Sequence, residues 1–207
     1  MASEPKVYVV EDDEAVRDSL MIMLRAADYP VEGFSSADDF LAQWSEQCRG
    51  CLVLDIRMPG MDGMTLQKEL NHRQSLLPII FVTGHGDVPL AVEAMKEGAV
   101  DFIQKPYAER TLLQKIDQAM GIDAEQQQVL QELQSIKERL ATLTDREREV
   151  MQMMVEGKAN KVIAIDLDIS QRTVEIHRAR VMQKMGTHSL AHLVRMVLAA
   201  DQGSALA

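Results

Sequence analysis

The sequence predicts an α/β domain built on a doubly wound, five-stranded parallel sheet, followed by an all-α domain of four helices. Three observations carry this reading. Over residues 1–120 five short apolar runs alternate with amphipathic stretches of helical period, a βα alternation that implies parallel strands with helices on both faces and leaves few right-handed topologies. After Gly121 the strand-like runs stop and Glu, Gln, Lys and Leu dominate. From Thr142 onward helix-start and helix-stop signals recur at short intervals.

The strands are "KVYVV" (6–10), "VEGF" (31–34), "CLVLD" (51–55), "PIIFVT" (78–83) and "VDFI" (100–103). Helices are expected over 14–28, 36–47, 63–74 and 87–97, with a fifth near 107–120. In the next segment Ile122, Val129, Leu133, Ile136, Leu140 and Leu143 fall on an a/d heptad interrupted by Gln126. That pattern fits a short coiled coil, or a helix lying against its own domain. "TDRE" (144–147) is a capping box opening a helix that stops at Gly157, and 159–167 make a short second helix. A turn at "DIS" (168–170) leads to a third helix capped by Ser170 and stopped by Gly186, and Ser189 starts a fourth. The expected divisions are a first domain over 1–120, a helical linker over 121–141 and a second domain over 142–207.

Charge is distributed unevenly. The net charge of −10 over 207 residues argues against nucleic acid. However, residues 1–120 hold 11 basic against 20 acidic side chains, whereas 142–207 hold nine against eight. The acid belongs to the first part. No apolar run approaches ~18 residues and the N-terminus runs straight into acids, so no membrane association is expected and the cytoplasm is the expected location. Cys48 and Cys51 form a lone C-x-x-C with no second pair to complete a zinc site. Since Cys51 opens an apolar strand, it reads as a buried small hydrophobe.

Ligands of a doubly wound sheet gather beyond the carboxyl ends of its strands. Glu11 and Asp12 follow the first strand, Asp55 ends the third, Thr83 ends the fourth and Lys105 follows the fifth. These groups should converge on one edge. Like charges there repel, and an oxygen-seeking divalent ion such as Mg2+ would resolve the conflict; from the acids alone, a solvated loop with no ligand is the favoured reading.

Thr83, Lys105 followed by Pro106, and the loop "DIRMPGMDG" (55–63), all placed at the same edge, shift that balance. In this order and spacing they resemble the receiver domain of two-component response regulators, whose flavodoxin-like sheet has strand order 2-1-3-4-5. The resemblance implies that Asp55 accepts a phosphoryl group from a sensor histidine kinase. It implies that Asp12, Asp55 and the main-chain carbonyl of Arg57 bind Mg2+, with Glu11, where Asp is commoner, reaching the ion through water. The Lys105 ammonium and Thr83 hydroxyl would offset charge on the phosphoryl oxygens. Phe102 resembles the switch aromatic of this family, or is a plain core residue. The segment 83–106 is close to that of FixJ-like regulators, in which the positions of Arg57 and His85 influence phosphoryl lifetime. Such a domain is a self-modifying switch and not an enzyme acting on a diffusing substrate.

On the helix opened by Ser170, Val174, Val181 and Met185 form one apolar stripe. Arg172, Ile176, Ala179, Arg180 and Gln183 lie opposite, with Glu175 at the margin. An outward Ile among basic groups suits a major groove, where apolar groups meet thymine methyls and Arg meets guanine. Residues 143–185 resemble the LuxR/NarL-type DNA-binding domain through L-T-x-R-E-x-E-V, G-x-x-N-K-x-I-A, I-S-x-x-T-V and the following His. Receiver then LuxR-type domain is the order of the NarL/FixJ transcriptional regulators.

That resemblance implies base contacts around Glu175, Ile176 and Ala179. It implies phosphate contacts from Lys161, Thr173, His177, Arg178, Arg180 and Lys184. The implied partners are double-stranded promoter DNA, RNA polymerase and a second copy of the chain once phosphorylated, with activation the expected sign. Rival readings fare worse. Arg57 stands two positions after Asp55, where a phosphatase would carry a second carboxylate. Neither the single tryptophan nor any of the four phenylalanines lies on the basic helix to stack RNA bases.

Overall fold

The computed structural model describes residues 4–84 and 88–205. The chain divides into two compact units, Met1–Gln127 and Gln128–Ala207, and each is described by itself.

In the first unit β1 (Lys6–Val10), β2 (Val31–Phe34), β3 (Gly50–Leu54), β4 (Ile79–Thr83) and β5 (Asp101–Gln104) form one sheet of order β2-β1-β3-β4-β5. Every pairing is parallel. This is the doubly wound, flavodoxin-like sheet the sequence led us to expect. β3 and β4 are buried at every position, as strands covered on both faces must be. The order switches at β1 and β3, so the crevice beyond their carboxyl ends is where a ligand site should lie.

Alternation along the strands divides the core into two layers. Tyr8, Val10, Leu52, Leu54 and Phe81 face one side, with Phe34, Phe40, and Leu66 and Leu70 of α3 (Gly63–His72). Val7, Val9, Val53, Ile80 and Val82 face the other, against Leu20 and Leu24 of α1 (Glu14–Ala26) and Leu112 and Ile116 of α5 (Glu109–Ala141). Helices α2 (Ala37–Gln43) and α4 (Val88–Lys96) complete the unit. Cys51 belongs to the second layer, where burial pushes its thiol up to about 12, whereas Cys48 packs against the first. The two cysteines thus serve opposite faces of the sheet, as apolar residues.

α5 departs from the expectation of a fifth helix ending near 120 and a separate linker helix after Gly121. It runs unbroken for 33 residues. A mid-helix glycine costs only about 1 kcal/mol relative to alanine, and the turn that follows is firmly held. The buried Asp123 carboxylate accepts from Arg49 Nε at 3.0 Å and Arg49 Nη2 at 2.8 Å, and Asp117 pairs with the Tyr29 hydroxyl. Both ties secure α5 to the first unit.

The second unit contains α6 (Asp145–Val155), α7 (Asn160–Asp166), α8 (Gln171–Met185) and α9 (Leu190–Ala205). Thr144 and Glu147 close the expected capping box on α6. Ser170 caps α8 by accepting from Thr173 N, and Gly186 ends it in the left-handed region at φ +64°. The core joins Val150, Met154, Ile163, Val174, Val181, Met185, Leu193 and Met196. Ile136 and Leu143 of the heptad stripe are buried in this core, with Leu140 packed on it. That part of the stripe lies against its own domain, while Val129 and Leu130 remain exposed.

Candidate functional site

Strand pairing assembles the acidic edge. Val10 is in register with Leu54, Asp55 N donates to Val10 O at 2.9 Å, and Glu11 N donates to Phe34 O at 3.1 Å. The chain ends leaving β1 and β3 therefore travel side by side. A carboxylate oxygen from each of Glu11, Asp12 and Asp55 lies within 4.8 Å of the others. Lys105 enters from the end of β5, where its N–H donates to Thr83 O at 2.8 Å. Its ammonium stands 2.6 Å from Glu11 Oε2 and 4.0 Å from Asp55 Oδ1.

Glu11 is buried, and burial pushes its carboxyl above the ordinary range; the Lys105 ammonium pulls it back down, and the Asp55 and Asp12 charges push it up again. Burial, with the Glu11 charge second, raises the nearby Tyr107 phenol to about 12. Asp55 is 8% exposed, yet its Oδ1 is buried with no hydrogen-bond partner. A buried oxygen left this way is costly. Three converging carboxylates with such an orphan suit a hard divalent cation with oxygen ligands, so the donor set fits Mg2+.

Thr83 is fully buried at the end of β4. Phe102 is half-buried against the first core layer, its ring 6.4 Å from that of Phe81. Arg57 is exposed in the loop after β3. His85 lies outside the described residues.

Two of the four carboxylates in Glu11–Glu14 have a different task. Asp13 caps α1, accepting from Ala15 N at 2.9 Å and Val16 N at 3.1 Å, and Glu14 lies in the first turn of that helix. Sequence reasoning missed Arg17. Its Nη1 donates to Glu11 O at 2.8 Å and Asp12 O at 3.4 Å, bracing the backbone that presents both acids. The spacing of Arg17 one turn after the Asp13 cap was the available signal.

In the second unit α8 turns Val174, Val181 and Met185 inward. Arg172, Glu175, Ile176, Ala179 and Arg180 are exposed together, and Ile176 is 46% exposed. Thr173, His177 and Arg178 are half-buried, and Lys161 is exposed on α7. His177 Nδ1 is buried without a hydrogen-bond partner. Lys184, expected from the sequence to contact phosphate, is half-buried and places its ammonium 2.6 Å from Glu147 Oε2. Among the described residues no helix is long and apolar enough to cross a membrane.

Comparison with known proteins places a family match on each unit. The family model for the response regulator receiver domain matches residues 7–117, and that for bacterial regulatory proteins of the luxR family matches 141–197. The chain is 47% identical to the transcriptional regulatory protein FixJ of Azorhizobium caulinodans, over 94% of this chain and 92% of that one. It is 41% identical to the response regulator protein TodT of Pseudomonas putida, over 92% of this chain and 84% of the relative. A solved structure of the response regulator StyR aligns with TM-score 0.85 at 43% identity, covering 94% of this chain and 98% of that one. With its acid-lined receiver sheet and its helix-turn-helix unit, the chain belongs to the FixJ-like response regulators and is a phosphorylation-dependent transcriptional regulator.

Proposed function

We propose that Asp55 is the phosphoacceptor and that its phosphorylation by a sensor histidine kinase drives dimerisation and promoter binding. The observation that carries this is Asp55 Oδ1, buried, without a hydrogen bond, and facing the Lys105 ammonium at 4.0 Å. In the transfer an Asp55 carboxylate oxygen forms a bond to phosphorus as the bond from phosphorus to the donor breaks. Lys105 offsets charge on the phosphoryl oxygens, and the Thr83 hydroxyl is placed at the same edge to bond them. Asp12, Asp55 and the Arg57 carbonyl would hold Mg2+, with Glu11 bonding to it through water. When bound, the ion supplies charge neutralisation on the transferring group. Phe102, beside Phe81, would follow the movement of Thr83.

For dimerisation the α4–β5–α5 side is favoured, because α4 exposes Val88, Val92 and Met95. A two-fold pair of receivers brings two α8 helices to a symmetric operator, and the bound dimer engages RNA polymerase in the cytoplasm as an activator. Glu175, Ile176 and Ala179 read base edges. Lys161, Arg172, Thr173, His177, Arg178 and Arg180 hold the phosphates. The test is sedimentation with and without acetyl phosphate and Mg2+, paired with retardation of duplexes selected from a random pool. Dimerisation and tight binding only after phosphorylation support the reading; identical behaviour in both conditions contradicts it.

Three expected outcomes belong to this reading. Arg180→Ala should weaken binding to all duplexes alike and reduce the slope of log K against log salt by about one. Ile176→Ala should change the base preference recovered by selection, and equal loss on every sequence would argue against direct readout. Arg17→Ala should raise the Mg2+ concentration needed for half-maximal phosphorylation several-fold while leaving the rate at saturating Mg2+ close to wild type, since Arg17 fixes the acids' backbone and touches no reacting atom. Titration of acetyl phosphate labelling with Mg2+ measures both quantities. An unchanged half-saturation would remove Arg17 from the site.

A further inference from the structure

The recognition helix α8 is fastened at its C-terminal end by groups that lie off its DNA-facing side. Lys184 Nζ donates to Glu147 Oε2 at 2.6 Å and to Thr142 O at 2.9 Å. Arg139 Nη1, from the end of α5, donates to Met185 O at 2.9 Å. The Arg139 guanidinium comes so close that a Cβ at Gly186 would stand 2.7 Å from Nη1. Glu147 is buried, accepts from Thr144 N at 3.0 Å, and closes the capping box of α6. One buried carboxylate thus joins the start of α6, the turn before it and the last turn of α8. The Lys184 ammonium and the Thr144 N–H together depress its carboxyl to about 2.

We infer that Lys184 is a positioning residue that sets the pose of the recognition helix through Glu147, and is not a phosphate contact. For Lys184 to reach a phosphate, the Glu147 carboxylate would lose its cation while remaining buried, which is strongly unfavourable. An ammonium already neutralised by a buried acid also adds little to the counterion release that governs DNA affinity. Arg172 and Arg180, by contrast, are exposed on the same helix. With Glu147 and Arg139 acting on one end of α8, the DNA-reading surface inherits its orientation from the α5–α6 junction.

The inference rests on the DNA-binding reading above and is tested on the full, phosphorylated chain with duplexes selected by the wild type. Lys184→Met and the milder Glu147→Gln, which keeps an acceptor for Thr144 N, should each lower affinity roughly tenfold across all duplexes. The double variant should lose no more than the worse single one, because both remove the same tie. The salt slope should stay at the wild-type value in all three, in contrast to Arg180→Ala. Urea denaturation, read without DNA, should show the same non-additive coupling between Glu147 and Lys184. A Lys184→Met slope reduced by about one, with Glu147→Gln binding like wild type, would overturn the inference. Additive losses in both DNA binding and urea midpoint would overturn it too. If the wild type bound no duplex, the DNA-binding reading would fall and this inference with it.

Discussion

Asp55→Asn should incorporate no phosphoryl group from acetyl phosphate or from a kinase, and phosphodonor should change neither its sedimentation nor its DNA affinity. The amide matches the carboxylate in shape but lacks the nucleophilic oxygen, so the chemical step is removed with little disturbance of packing. The local electrostatics favour survival of the fold. Asp55 contributes one of the charges that push Glu11 upward, and its neutralisation relieves that repulsion while the Lys105–Glu11 pair remains. Asp55→Asn should therefore unfold no more readily than wild type. If the two receiver states differ in dimer affinity by ~3 kcal/mol, phosphodonor-treated wild type should exceed the variant in DNA affinity by roughly two orders of magnitude. Mass spectrometry on the treated protein and retardation on selected duplexes measure the two parts. A variant that gains mass by phosphorylation elsewhere and dimerises like wild type would remove Asp55 from its role.

The sheet and the acidic edge could be read from the sequence because both leave local signatures. β3 and β4 are unbroken apolar runs, buried throughout, and a parallel sheet brings the residues after its strands to one edge. Glu11, Asp12, Asp55 and Lys105 meet there as expected. The residues that were missed act through the backbone or across distance. Arg17 bonds to carbonyls, which carry no side-chain identity in a sequence. Gly121 looks like a helix end because the pair between Arg49 and Asp123, 74 residues apart, cannot be anticipated from spacing. Lys184 sits beside the basic face on a helical projection, and only the fold brings in the Glu147 carboxylate 37 residues away. For Gly121 and Lys184 the missing information is a non-local partner.

Two glycines distinguish what the receiver tolerates near its site from what it tolerates away from it. Gly63 opens α3 immediately after the loop that follows Asp55, and its N–H donates to Ile56 O at 2.9 Å. A Cβ there would stand 2.3 Å from Asp55 O and 3.0 Å from Ile56 Cα. Both neighbours are backbone, so neither can swing aside as a side chain would. Relief requires α3 to lift or the Asp55 peptide to turn, and either motion takes the Asp55 carboxylate out of register with Glu11 and Lys105. Gly63→Ala should therefore lower stability by about 3 kcal/mol, at the upper end of overpacking costs, and cut the rate of phosphorylation more than tenfold. Gly63→Val should be worse on both counts. Gly121 lies in the interior of α5, where a Cβ meets nothing within 4 Å. Gly121→Ala should stabilise by about 0.5–1 kcal/mol through helix propensity alone and leave phosphorylation unchanged. Urea midpoints and labelling rates of the two alanine variants, measured side by side, decide the matter. A Gly63→Ala protein with the wild-type midpoint and labelling rate would show that the Asp55 loop yields freely, and the close approach of α3 would then have no part in holding the phosphoacceptor in place.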